Sequence, residues 1–152
     1  MQLHSPVFNH GERMDSRFTC QGDNISPPLE IVDVPEKAQS LVLICDDPDA
    51  ATDPNGPGDI FDHWVLFNIS PKINSIAENS TPPSATQGIN SKHELGWVGP
   101  CPPTGEHRYF FRLYALDSKL DLEEGADKEE VESALAGHVL VHTELVGTYE
   151  KN

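Results

Sequence analysis

The sequence predicts an all-β-dominated fold, a Greek-key sandwich of two antiparallel sheets with one or two short peripheral helices near the C-terminus. Several short segments are rich in β-forming residues, whereas only one segment has the composition and end signals of a helix. The 11 glycines and 13 prolines indicate many turns and long loops. The chain has no internal repeat or linker, so residues 1–152 are expected to form a single domain.

Two strand predictions are the clearest. The continuous apolar run Ser40–Cys45 is typical of a central strand that is buried on both faces. The longest strand signal is His107–Leu116, in which alternate residues share a face. Weaker signals lie at Leu3–Phe8, where Pro6 indicates an edge strand, and at Leu29–Val34, His63–Ile69 and His138–Tyr149.

The one helix prediction covers Asp127–Ala136. Acidic residues in its first turn complement the helix dipole, and Gly137 is a suitable C-terminal stop. The segments 49–62 and 78–105 contain many prolines and glycines without periodicity, so we expect them to be loops.

The charge balance excludes nucleic-acid binding. Asp and Glu number 25 against 10 Lys and Arg, which gives a formal net charge of −15. Nucleic acids and anionic membrane surfaces attract clustered Lys and Arg, and the chain has no basic run. No apolar stretch approaches the roughly 18 residues of a membrane helix, so stable membrane insertion is not expected.

The cysteines and the N-terminus predict a cytoplasmic protein. Cys20, Cys45 and Cys101 are odd in number, widely spaced and without a paired motif, so they are expected to be reduced thiols. The N-terminal residues lack the basic start and apolar run of a signal peptide.

Two polar clusters lie where predicted strands meet long loops. Asp47 and Asp49 follow the central strand, and His63 opens the next one. The second cluster, residues 99–109, is rich in proline and glycine and leads into His107 and Tyr109. Strand ends and proline-stiffened loops hold polar groups in preformed sites, so the two clusters are expected to form one concave site.

This site has the chemistry to accept an anion. Imidazoles, a phenol hydroxyl and loop N–H groups donate hydrogen bonds to a phosphate-type group, while Pro102 and Pro103 supply apolar walls. Asp47 or Asp49 is expected to orient a histidine or to accept an ammonium group.

The same residues allow other interpretations. The histidines can be structural, and the aspartates between Asp46 and Asp62 can be a solvated loop. Cys101 could act as a nucleophile with His107 as its base, or His107 could act together with a bound metal. Either alternative implies a small hydrolase or acyl-transfer enzyme. Arg108 and Arg112 are expected to pair with acidic neighbours rather than with a ligand.

Several motifs together resemble the phosphatidylethanolamine-binding protein family, which includes the Raf kinase inhibitor-like proteins. The resemblance extends nearly end to end and is closest to the short bacterial and archaeal branch. It is carried by Ser5–Phe8, Asn24–Leu29, Leu41–Ala50, Phe61–Asn68, Gly96–Leu116, Gly137–Leu140 and Glu144–Tyr149. One departure is Ala51, where the family's Asp-Pro-Asp-Ala motif usually continues with proline.

The resemblance implies a Greek-key sandwich with a small pocket for phosphate-type anions or phosphorylated head groups. By motif position, the pocket would be lined by Asp47, Asp49, His63, Gly99, Pro102, Pro103, His107 and Tyr109. A homodimer is a further expectation, because prokaryotic members are often dimers.

The expected function is therefore that of a binding protein without a catalytic cycle or cofactor. Its expected partner is a phosphate-type anion, a phospholipid head group or a phosphorylated protein side chain. Regulation of a protein kinase is a further expectation that rests on the resemblance alone.

Overall fold

The fold consists of nine strands, one α-helix and two short 3-10 helices. The computed structural model describes all residues from Met1 to Asn152. The strands are β1 (Gln2–His4), β2 (Glu12–Arg13), β3 (Leu29–Val32), β4 (Ser40–Asp47), β5 (Phe61–Ile69), β6 (Ser75–Ile76), β7 (Thr86–Gln87), β8 (His107–Leu116) and β9 (Val139–Tyr149). The helix α1 spans Lys128–Leu135, and the 3-10 helices span Ser16–Phe18 and Pro48–Ala51.

The strands form two sheets, as predicted. The larger sheet has the order β2-β9-β8-β4-β5-β7, and the smaller has the order β1-β3-β6. The prediction of purely antiparallel sheets is wrong at one edge, where the two-residue strand β2 runs parallel to β9. The Greek-key connection of the strands stays a prediction.

The larger sheet is covered on both faces. On one face, its inward residues pack with Leu3, Leu29 and Ile31 of the smaller sheet in a core cluster of 20 buried residues. On the other face, the sheet packs with Val131 and Leu135 of α1 in a second cluster of 9 buried residues. All eight residues of β4 are buried, which explains why the residues from Leu41 to Cys45 are all apolar and do not alternate with polar ones.

The single helix lies where the sequence places it. Asp127 caps its N-terminus, because the Asp127 carboxylate accepts the N–H of Glu130 and the Glu130 side chain accepts the N–H of Asp127. The structure has no helix that is long and apolar enough to cross a membrane.

The predicted strand bounds hold best for the long strands. His107–Leu116 is a strand over the predicted range, and the final strand begins one residue later than predicted. The predicted edge strand Leu3–Phe8 is instead Gln2–His4, because the chain leaves the sheet before Pro6. The two-residue strands have too few residues to give a pattern in the sequence.

The expectation of three reduced thiols is wrong. Cys20 and Cys101 form a disulfide across a sequence separation of 81 residues, with their Cα atoms 5.5 Å apart, and only Cys45 is free. The two segments already meet through the backbone, since the N–H of Cys20 donates to the Pro100 carbonyl at 3.1 Å. The sequence did not predict this pairing because the two cysteines are far apart in the chain. The argument from reduced thiols to a cytoplasmic location therefore fails, and that location stays a prediction.

Replacing Cys20 and Cys101 together with alanine should lower the free energy of unfolding by about 4 kcal/mol, because a cross-link over this span restricts the unfolded chain. Urea denaturation measures the loss. Both cysteines are exposed, so a dithiol reductant should produce the same loss in the wild type and none in the double variant. A wild type that is equally stable with and without reductant would contradict the prediction.

Candidate functional site

The candidate site lies at the end of the central strand. Strand β4 is antiparallel to both β5 and β8, so its C-terminal end lies beside the beginnings of these two neighbours. This topology brings Asp47 at the end of β4 close to His63 near the start of β5 and to His107 at the start of β8. The two predicted clusters are therefore joined by strand order.

His107 lies between two carboxylates. Its Nδ1 is 2.6 Å from Oδ2 of Asp47, and its Nε2 is 2.8 Å from Oδ2 of Asp53. The three side chains are at most 4% exposed. Burial acts to lower the pKa of His107, but the hydrogen bonds and charges of Asp47 and Asp53 outweigh it and raise the pKa above its ordinary value. Both ring nitrogens thus donate to protein groups, and neither is left for a ligand.

Asp53 also fastens two loops together. Its carboxylate accepts the N–H of Asn55 at 2.9 Å and the N–H of Thr104 at 3.0 Å, in addition to His107. The backbone N–H of Asn55 is the main cause of its lowered pKa. Asp53 therefore connects the loop after β4 to the loop before β8.

Asp49 does not join the cavity, although the sequence placed it beside Asp47. The Asp47 carboxylate accepts the N–H groups of Asp49 and Ala50 and starts a 3-10 helix, so extended geometry ends at this point. Asp49 instead accepts hydrogen bonds from the N–H and guanidinium of Arg108, and Arg108 is the main cause of its lowered pKa. The pairing of Arg108 with an acidic neighbour is confirmed.

Arg112 also pairs with acidic neighbours, as predicted. Its guanidinium contacts Asp46 at 3.2 Å and Glu144 at 3.0 Å. Lys128 of α1 contacts the other oxygen of Asp46 at 3.2 Å and Oδ1 of Asp62 at 3.1 Å. This network satisfies the buried Asp46 and ties the helix to the end of β4.

His63 has the opposite environment from His107. It is 4% exposed, and its Nδ1 lies 2.6 Å from the Val98 carbonyl. A carbonyl only accepts hydrogen bonds, so Nδ1 carries the proton and Nε2 of the neutral ring is an acceptor. Burial lowers the pKa of His63 to about 4, and the ring is neutral at pH 7. The expectation that His63 donates to an anion therefore requires a proton that the free site does not hold.

Tyr109 lies beneath the site rather than at its surface. Its side chain is fully buried, its ring packs edge-on against His63 with centroids 5.1 Å apart, and its hydroxyl has no hydrogen-bond partner. Burial raises the pKa of this hydroxyl, so Tyr109 is neutral. As predicted from strand alternation, Tyr109 and His107 share the inward face of β8.

A cavity of about 330 Å³ opens above His63 and His107. The predicted residues Asp47, His63, Gly99, Pro102, Pro103 and His107 line it, whereas Asp49 and Tyr109 do not. The N–H of Gly99 is not available to a ligand, because it donates to Oδ1 of Asn24 at 2.8 Å. A side chain at Gly99 would collide with Asn24 and the Phe18 carbonyl, so the wall is closely packed.

The sequence analysis missed several residues of the site. The cavity is also lined by Cys20, Asn24, Ala50, Pro57, Phe61, Lys92, Val98 and Cys101. Cys20 and Asn24 come from the N-terminal segment, and Lys92 comes from a turn between β7 and β8, so no local pattern identifies them. Asp53 lies in the acidic loop, where six aspartates from Asp46 to Asp62 give no sign of which of them contacts His107.

The thiol chemistry of the enzyme alternative does not fit this site. Cys101 is bonded to Cys20, so it has no thiolate to serve as a nucleophile beside His107. The structure also contains no group of three His, Cys, Asp or Glu side chains arranged to hold a metal ion.

Comparison with known proteins establishes the family. The family model for phosphatidylethanolamine-binding protein matches residues 4–150. Among curated relatives, a UPF0098 protein of Methanothermobacter thermautotrophicus is 51% identical, with 99% of each chain covered. A UPF0098 protein of Chlamydia trachomatis is 45% identical over the whole of both chains.

Solved structures agree with this assignment. A phosphatidylethanolamine-binding protein homologue from Chlamydia trachomatis has a TM-score of 0.91 and 44% identity, with 99% of this chain and 97% of that chain covered. Escherichia coli YbcL, a member of the same family, has a TM-score of 0.89 and 27% identity, with 99% and 98% covered. The chain belongs to the phosphatidylethanolamine-binding protein family.

Asp53→Asn should lower the pKa of His107, because the imidazolium then keeps only one of its two carboxylates. In the wild type, the imidazolium signals of His107 should persist above the ordinary histidine pKa of 6.5. A pH titration of the ring ¹⁵N and ¹³C shifts measures both values. Identical titration of His107 in the two proteins would contradict the role of Asp53.

His63 should make the protein less stable in acid. Its pKa in the folded state is about 4, against an ordinary value of 6.5, so the unfolded chain binds the proton first as the pH falls. The contribution is fully present above about pH 6.5 and is lost towards pH 4, and it amounts to about 3 kcal/mol.

His63→Asn tests this contribution, because the asparagine amide can still donate to the Val98 carbonyl but does not titrate. The difference in unfolding free energy between wild type and variant, measured in urea at both ends of this pH range, should shrink by about 3 kcal/mol in acid. A difference that stays constant with pH would contradict a buried neutral His63.

Proposed function

We propose that the cavity above His63 binds a phosphate-type anion. The observation that carries the proposal is the Nε2 of His63, which is the one imidazole nitrogen of the site without a protein partner. His63 lines a cavity whose walls are largely apolar and include Pro102 and Pro103. An imidazolium in such a setting forms a strong hydrogen bond to a phosphoryl oxygen.

The two histidines would have different roles in binding the anion. His107 is held by its carboxylates, so it acts as a positioning residue that fixes the floor of the cavity. His63 would contact the anion. Binding would place a proton on Nε2, because the neutral ring offers an acceptor where the anion requires a donor.

The size of the cavity favours a small ligand. About 330 Å³ lies at the lower end of the range for ligand pockets, which is enough for a phosphoryl group and a few further atoms. The name of the family supports the same chemistry, since a phosphatidylethanolamine head group carries a phosphoryl group. A phosphorylated protein side chain presents that group as well, which is the basis for the proposed link to kinase signalling.

An ammonium group has no prepared partner in the cavity. The sequence suggested Asp47 or Asp49 for this role, but Asp47 is engaged by His107 and two backbone N–H groups, and Asp49 is engaged by Arg108. We therefore propose recognition through the phosphoryl group rather than through the amine of a zwitterionic head group.

Titration of inorganic phosphate, phosphoethanolamine and a phosphoserine peptide into ¹⁵N-labelled protein tests the proposal. All three should shift the amide signals of residues 50, 63, 98, 99 and 101, because they share the phosphoryl group. His63→Asn should abolish these shifts, and His138→Asn is the matched control, since His138 is exposed and pairs with Asp117. The affinity order separates a free anion, a head group and a phosphorylated side chain as ligands.

Binding of the phosphoserine peptide, whose phosphoryl group has a second pKa near 6, should also take up about one proton, so affinity should rise about tenfold per unit as the pH falls from about 8 to about 7. Among charged groups, Asp46 raises the pKa of His63 and so favours the proton, whereas His107 lowers this pKa and opposes the proton. Calorimetry in two buffers of different ionisation enthalpy measures the uptake. The absence of any change in the amide signals at millimolar phosphate would overturn the proposed function. Binding without proton uptake would show that His63 does not contact the anion.

A further inference from the structure

Lys92 is the one Lys or Arg among the residues that line the cavity. The chain has 10 Lys and Arg, and four of them form ion pairs with carboxylates, namely Arg17, Arg108, Arg112 and Lys128. Lys92 has no carboxylate within ion-pairing distance. Lys92 thus places an unpaired positive charge at the cavity of a protein whose net charge is −15.

The other charges of the cavity do not compensate an anion. The imidazolium of His107 is already matched by Asp47 and Asp53, which leaves that group of three with a negative balance. His63 is neutral until a ligand binds. Lys92 is therefore the only group at the cavity whose positive charge is free in the unliganded protein.

The turn that carries Lys92 is held from inside the protein. Asn90 is 3% exposed, and its Oδ1 accepts the N–H of Lys92 at 2.9 Å and the N–H of Glu94 at 3.2 Å. Its Nδ2 donates to the Gly96 carbonyl at 3.0 Å. A single buried side chain thus fixes the backbone of the exposed turn on both sides of Lys92.

The same turn is anchored to the strand that carries His63. The N–H of Asp62 donates to Oγ of Ser91 at 2.8 Å, and the N–H of Ser91 donates to the Asp62 carbonyl at 2.9 Å. Asp62 and Ser91 are the chain neighbours of His63 and Lys92. The backbone of Lys92 is therefore held at a fixed position relative to the backbone of His63, at one end of β5.

We infer that Lys92 is a specificity residue that makes the cavity prefer dianionic phosphomonoesters over monoanionic phosphodiesters. The inference rests on the proposed function and names the charge class of its ligand. Coulomb energy is proportional to the charge of the ligand, so a lysine at a given distance contributes twice as much to binding a dianion as to binding a monoanion. An imidazolium at His63 donates a hydrogen bond to a monoester and to a diester alike, whereas the charge of Lys92 favours the monoester.

Lys92→Gln tests the inference with methyl phosphate and dimethyl phosphate as probes. At about pH 8 the monoester is a dianion and the diester a monoanion. The variant should lose about tenfold in affinity for methyl phosphate and only about threefold for dimethyl phosphate, because the logarithm of the loss scales with ligand charge. Both losses should shrink in high salt.

Lys72→Gln is the matched control. Lys72 is also exposed and free of ion pairs, and it lies in the turn after β5, at the end of the strand that is opposite to Lys92. The control changes the net charge by the same amount, so it should leave both affinities within about twofold if only the local charge matters.

The outcomes separate the inference from the proposed function. If the wild type binds neither ester, the anion site is absent, and the inference on Lys92 is overturned with it. If the wild type binds both esters and Lys92→Gln weakens them equally, or no more than Lys72→Gln does, the anion site stands and Lys92 does not determine its specificity. A selective loss for the monoester supports the inference.

Discussion

Burial of the central strand β4 on both faces is the constraint on which the rest of the structure depends. An eight-residue strand without an exposed face needs the smaller sheet on one side and the helix on the other. The strand nevertheless ends in two aspartates, and a buried carboxylate requires partners. Asp46 recruits Arg112 and Lys128, which fastens the helix layer, and Asp47 recruits His107, which forms the floor of the cavity.

The two histidines show how one site holds opposite protonation states. Both are nearly fully buried, so desolvation opposes the charged form of each. His107 has two carboxylates within hydrogen-bonding distance and gains the charge, whereas His63 has only a carbonyl and stays neutral. The result is a charged imidazole held by two carboxylates beside a neutral ring that can take up a proton.

The cavity is assembled from four distant parts of the chain. The disulfide joins the N-terminal segment to the proline loop, and Asp53 joins that loop to the one that follows β4. Asn90 and Ser91 hold the turn of Lys92 against the start of β5. The walls are therefore fixed by bonds that join the loops to one another and to the start of β5, which explains how loops without regular structure form a defined site.

The sequence by itself determined the elements that depend on local pattern. Continuous apolar residues predicted β4, alternation predicted β8, and capping residues predicted α1, because burial and backbone hydrogen bonding act on neighbouring residues. The motifs also led to Asp47, His63 and His107, since these side chains flank the predicted strands. Only the tertiary structure decided the disulfide, the burial of the Asp53 side chain, the contact of Asp49 with Arg108 and the placement of Lys92. Each of these depends on contacts between residues far apart in sequence, and no local period or composition encodes such distances.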